Sequence, residues 1–250
     1  MNPVVKVDNL SVFYEQHQAI KNIRFQAGSG QMIGILGPNG AGKSTLMKAI
    51  LGLERYTGTV KVLDKHVRHV RKQISYVPQR NAIDWDFPVL VEDVVMMGRF
   101  AHIPWFKRAG KNDKRLVEES LKKVGMEEYR SRQIGELSGG QQQRVFIARA
   151  LAQESELFFL DEPFVGIDVT SESIILSLLQ ELRDRGKTIF VVHHDLSKVE
   201  KYFDQVLMLN KELIAYGPVA DVYTPEMVAK TYQGNLATFS KKDEVLVVNV

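Results

Sequence analysis

A chain of 250 residues, 44% hydrophobic and 25% charged, has room for one large α/β domain with a subdomain and can bury a substantial core. The absence of cysteine excludes disulfides and thiolate chemistry, and a formal charge of +3 is too small to argue for nucleic acid without a localised basic patch. No apolar run is long enough to cross a bilayer, and residues 1–6 lack the charged and apolar regions of a signal peptide, so the chain is expected to stay in the cytosol.

From residue 4 to 27 apolar and polar residues alternate, with Val5, Val7, Leu10 and Val12 followed by Ile20, Ile23 and Phe25. This pattern predicts short antiparallel strands. Tyr14, within it, either packs in a strand or offers its ring as a platform for a purine. Met32-Ile33-Gly34-Ile35-Leu36 then reads as a strand, Gly37-Pro38-Asn39-Gly40-Ala41-Gly42-Lys43-Ser44-Thr45 as a turn, and Leu46-Met47-Lys48-Ala49-Ile50-Leu51 as a helix.

The turn matches G-x-x-x-x-G-K-[ST] in full, and strand, glycine-rich turn and helix stand in the order a phosphate loop needs. Its glycines let successive N–H groups face one anion, and the helix adds its positive end. Lys43 is placed to reach the β- and γ-phosphates and the Ser44 hydroxyl to ligate Mg²⁺.

Gly58–Leu63 is another strand candidate, and His66 and His69 follow among Lys65, Arg68, Arg71 and Lys72. That many cations predict a solvated basic surface rather than a metal site. Ile74-Ser75-Tyr76-Val77 is an apolar strand ending at Pro78 and Gln79, the latter either a plain strand-end residue or a site residue. Residues 84–106 hold both tryptophans, Trp85 and Trp105, with Phe87, Met96, Met97, Phe100 and Phe106. This composition suits either the core of a helical subdomain or an adaptable docking surface. A charged helical pattern follows over residues 111–132, with Leu116, Leu121 and Val124 on one face.

Leu137-Ser138-Gly139-Gly140-Gln141 precedes a strongly periodic helix and forms a second candidate anion site. Leu157-Phe158-Phe159-Leu160 is a buried-strand pattern ending in Asp161 and Glu162. Beside a complete phosphate loop these acids read as a carboxylate holding Mg²⁺ through water and a carboxylate polarising the attacking water. Ile189-Phe190-Val191-Val192 ends in His193 and His194, of which strand alternation lets only one address the site. Residues 206–209 and 213–216 read as a hairpin, Thr224-Pro225-Glu226 as the start of a short helix, and residues 244–248 as an extra strand without an assigned role.

Taken together, residues 4–234 resemble the ATP-binding cassette (ABC) ATPases. The resemblance rests on the phosphate loop, Gln79, Leu137-Ser138-Gly139-Gly140-Gln141, Asp161-Glu162, Asp168 and His194, in that order. It implies an α/β P-loop NTPase fold: a RecA-like core, an antiparallel β subdomain, a helical subdomain inserted at about residues 84–150, and a tail over 235–250.

The resemblance also assigns roles. Tyr14 would stack on adenine, Gln79 would sense the γ-phosphate and ligate Mg²⁺, and His194 would be the switch histidine. Segment 138–141, through Ser138 and Gly140, would contact ATP held by a second copy of the chain, and Asp168 would couple the two sites. Within the family, residues 81–88, 94–99 and 132–137 resemble ATPase subunits of bacterial manganese, zinc and iron importers, with manganese favoured. Such a subunit would sit on the cytoplasmic face of the membrane, docked through residues near Trp85 and Trp105 on a permease that an extracellular metal-binding protein serves. A soluble ABC ATPase that assembles or remodels a non-membrane partner is the other reading the family allows.

Overall fold

The computed structural model describes residues 3–85, 87–232, 238–241 and 244–247. In chain order its elements are β1 (Val5–Tyr14), β2 (His17–Ala27), β3 (Met32–Leu36), α1 (Lys43–Ile50), β4 (Thr57–Val62) and β5 (Ile74–Val77). Next come α2 (Val91–Met96), α3 (Lys111–Lys123), α4 (Gly139–Ala152), β6 (Leu157–Asp161) and α5 (Val169–Asp184). The last are β7 (Thr188–Val192), α6 (Val199–Tyr202), β8 (Gln205–Asn210), β9 (Glu212–Pro218), α7 (Val219–Val222), α8 (Pro225–Tyr232), β10 (Thr238–Lys241) and β11 (Glu244–Val247). The chain divides into two compact units, Met1–Val70 with Thr188–Val250, and Arg71–Lys187.

In the first unit β1 pairs antiparallel with β2 and with β4. The strands are longer than the short ones the alternation predicts. They bend at register shifts instead of breaking, and Asn9 and Asn22 take the left-handed backbone that such irregularities require. β3 lies between β7 and β8, parallel to both, and β8 turns back into β9 as the predicted hairpin. Every residue of β3 and β7 is buried, which is why both read as continuous apolar runs rather than alternating ones. Thr224 opens α8 by accepting from the Met227 amide through its hydroxyl. The tail strand expected over 244–248 is found as β11, paired with β10, a partner strand the sequence reading did not include; Val248 lies outside the described residues.

In the second unit β5 and β6 pair in parallel. α2, α3 and α4 pack on one another, and Val91, Val94 and Val95, Val117 and Leu121, and Val145 and Ile147 are buried among their residues. Leu121 and, at the C-cap of α3, Val124 are buried as expected, together with Val117 and Ser120; Leu116 is only half-buried, because it lies beside the stripe formed by 117, 120, 121 and 124. Arg99 is buried at the end of α2. Its guanidinium bonds Asp113 at 3.0 Å, the Ala152 carbonyl at 2.7 Å and Glu154 at 2.9 Å. Breaking a buried pair of this kind costs about 3–5 kcal/mol, so Arg99 acts as a bolt through the three helices. Among the described residues no helix is long and apolar enough to cross a membrane.

Candidate functional site

Site residues fall in both units. In the first, β3 delivers the chain into the phosphate loop through Gly37, whose φ of 153° and close approach to the Leu209 carbonyl oxygen leave no space for a side chain. Gly42, at φ 92°, starts α1 and sits against Ile20 just as tightly. The loop closes on itself with Ala41 N–H donating to the Pro38 carbonyl at 3.1 Å, and is tied down by Lys211 N–H donating to Ala41 at 2.9 Å.

No side chain caps α1. Lys43 is buried, and its ammonium donates to the Gly37 and Pro38 carbonyls at 2.8 and 2.9 Å, lying along the loop that Asn39 and Gly40 complete. Ser44 and Thr45 follow in the first turn of the helix. A concave run of backbone donors with one ammonium beside it is built for a polyphosphate.

Tyr14 ends β1 with 42% of its surface exposed, available to an aromatic partner. Beyond β7 the two histidines separate as alternation demands. His193 is buried against Tyr202 and Phe203, with ring centroids 5.7 and 5.4 Å apart, whereas His194 is exposed. This packing accounts for His193, for which the sequence suggests no place, and leaves His194 as the histidine that can meet a ligand. His66 caps a short 3-10 turn by accepting from the Arg68 amide at 3.3 Å, and both it and His69 are exposed.

In the second unit Asp161 ends β6 and is 2% exposed. Its charge reaches Tyr76 on β5, whose phenol is pushed up to about 12, mainly by burial and further by this carboxylate. Glu162 follows at φ 53°, a left-handed conformation costly for a residue with a side chain and concentrated at functional positions. Gln79 Nε2 donates to Glu162 Oε2 at 2.6 Å, so the structure joins two residues 83 apart in sequence that the reading assigned to one reaction.

Segment 137–141 is built differently from the phosphate loop. Ser138 is the N-cap of α4: its hydroxyl accepts from Gln141 N–H at 3.4 Å, and the Gln141 side chain accepts from Ser138 N–H at 2.9 Å. Gly139 and Gly140, expected just before the helix, form its first turn, because this reciprocal cap starts the helix directly after Ser138. The Arg80 guanidinium lies flat against Gly139, bonds the Gln142 side chain at 2.9 Å and sits over the Trp85 ring. A Cβ on Gly140 would come within 2.5 Å of both Asp168 Oδ2 and Ser171 Oγ. Asp168 itself caps α5, accepting from the Ser171 amide and hydroxyl at 2.8 Å each, and these bonds hold its carboxyl below the ordinary 3.8.

Arg80 and Ser171 are site neighbours that sequence reasoning missed. The spacing from Asp168 to Ser171 at the head of a helical pattern was a readable capping signal; Arg80 carried none.

The loop of the first unit has the geometry of a phosphate-binding P-loop, and the comparisons give the class. The ABC transporter family model matches residues 20–165, and the chain belongs to that family, with the ATPase activity and fold of its ATP-binding subunits. A solved structure of a transporter assigned to the metal-chelate ABC type, in an inward-facing conformation, superposes with a TM-score of 0.82 at 30% identity, covering 98% of this chain and 96% of that one. More particularly, the chain is 99% identical over 250 residues to the manganese transport system ATP-binding protein MntB of Halalkalibacterium halodurans, with both chains covered completely. It is 50% identical over 243 residues to the protein of that name in Bacillus subtilis, covering 97% of this chain and 96% of that protein. The zinc transport system ATP-binding protein TroB of Treponema pallidum is 48% identical over 235 residues, covering 94% and 88%.

Proposed function

We propose that this chain hydrolyses ATP on the cytoplasmic face of the membrane to drive manganese uptake through a separate permease. The observation that carries the reading is the 99% identity, end to end, with a manganese transport ATP-binding protein, in a chain whose phosphate loop is fully formed. Residues 37–45 hold the phosphates, Lys43 neutralises them, and Tyr14 stacks on the adenine. Ser138, Gly139, Gly140 and Gln141 complete the nucleotide held by a second copy, in a head-to-tail dimer, and Asp168 couples the two sites. The helical subdomain of residues 84–150 docks on the permease through the apolar residues from Trp85 to Phe100, the near part of the segment that reaches to Trp105, and an extracellular metal-binding protein supplies the ion. Nucleic acid has no part in this scheme.

The residues suit Mg²⁺. Ser44 Oγ, the Gln79 amide oxygen and the buried Asp161 carboxylate are the hard oxygen donors this ion takes, with Asp161 acting through water. Bound there, Mg²⁺ would supply positive charge against the charge that develops on the phosphates. Glu162, fixed through one oxygen by Gln79, keeps the other to orient and deprotonate the attacking water. Exposed His194 donates to the γ-phosphate as charge builds.

Manganese uptake measured in cells that lack and then regain the chain tests the reading. Loss on deletion and recovery on return is expected, with the chain co-purifying with a hydrophobic subunit. Unchanged uptake, or recovery only in the soluble fraction without such a partner, would overturn it.

A further inference from the structure

The segment between α2 and α3 carries a feature that nucleotide chemistry does not use. Lys107 N–H donates to the Pro104 carbonyl at 2.8 Å, closing a turn whose two corner residues are Trp105 and Phe106. They are 95% and 74% exposed, and Phe100, just before them, is 61% exposed. Lys107, Arg108 and Lys111 follow at once, all exposed.

The turn is held at its base. Arg99 bonds Asp113 across the segment, Gly110 N–H donates to Asp113 at 2.9 Å, and His102 bonds the Gln153 carbonyl at 2.9 Å. The one carboxylate among residues 99–115 is thereby turned inward to Arg99, and outward charge on this stretch is basic. Two large rings are kept in water on an anchored turn, next to a cluster of cations.

The geometry points to a lipid contact: the tip at Trp105 and Phe106 rests in the headgroup region of the anionic inner leaflet, with Lys107, Arg108 and Lys111 on the lipid phosphates. Charge complementarity selects this occupant over the permease. Short cytoplasmic loops of membrane proteins carry excess Lys and Arg, so they repel a basic tip, whereas an anionic leaflet attracts it. Tryptophan and phenylalanine are residues that settle at such an interface. The inference rests on the reading that the chain works beside a membrane permease, and adds a second, direct foothold.

The purified full chain is mixed with vesicles of phosphatidylcholine alone or with phosphatidylglycerol and co-sedimented. Binding is expected only to the anionic vesicles, weakening with salt. Lys107→Gln with Arg108→Gln should weaken it roughly 25-fold, at about fivefold per basic residue. Trp105→Ser with Phe106→Ser should abolish it without changing the melting temperature, since both side chains are exposed. A photo-crosslinking group at position 105 in the assembled transporter should label lipid. Equal binding to neutral vesicles, wild-type binding by the substituted chains, or labelling of the permease polypeptide alone would overturn the inference. A chain that restores uptake yet ignores vesicles defeats the lipid contact only; one that binds vesicles but has no effect on uptake defeats the transport reading instead.

Discussion

Two helices in this chain begin at glycine-rich motifs, and their beginnings are opposites. α1 starts at left-handed Gly42 with no side-chain cap, whereas α4 starts at Ser138 with a cap reciprocated by Gln141. An uncapped end leaves the helix dipole for a ligand; a capped one spends part of it internally. α1 is therefore organised to hold phosphate by itself. At α4 the Ser138 hydroxyl accepts from the Gln141 amide and keeps its own proton to donate, so in the proposed dimer it would add a single bond to a nucleotide held mainly elsewhere.

Substitutions can break or sharpen that contrast. The largest expected effect tests chemistry apart from both helix ends: Glu162→Gln should lower ATP turnover by about 10²–10⁴-fold while nucleotide binding, followed by filter retention, persists. Next is Gly37→Ala. Left-handed strain alone costs on the order of 1–3 kcal/mol, and overlap with the Leu209 carbonyl adds to it, so ATP binding should be lost and the melting temperature lowered.

At the other helix, Ser138→Ala should cost about 1 kcal/mol through the lost cap, visible in chemical denaturation, together with slower turnover. The smallest effect is on pH. Because the folded carboxyl of Asp168 titrates below 3.8, its cap is fully formed above that value and fades only as pH falls through the lower folded value. Stability from this source should be flat from neutral pH down to about 4 and decline below it, a decline absent in Asp168→Asn.

The difference in legibility follows the same lines. β3, the loop and α1 were readable because one local motif dictates all three, and buried β6 and β7 announced themselves as unbroken apolar runs. The start of α4 was misplaced because two glycines argue against helix by propensity, while the Ser138 to Gln141 cap overrides them. The left-handed backbone of Glu162 and the seat of His193 against Tyr202 and Phe203 had no motif to announce them, and the flat approach of Arg80 to Gly139 joins residues far apart in sequence. The tryptophan-rich stretch left core and surface open, and the structure divides it. Val91, Val94 and Val95 go inward; Phe87, Phe100, Trp105 and Phe106 stay out.

The missing side chain at Gly140 has a mechanical consequence. The carboxylate of Asp168 and the hydroxyl of Ser171 occupy the space a methyl group would need, so the head of α4 and the head of α5 interlock like a tooth in a notch. A push on the head of α4 toward α5 meets that carboxylate and hydroxyl directly and is passed on to the second helix.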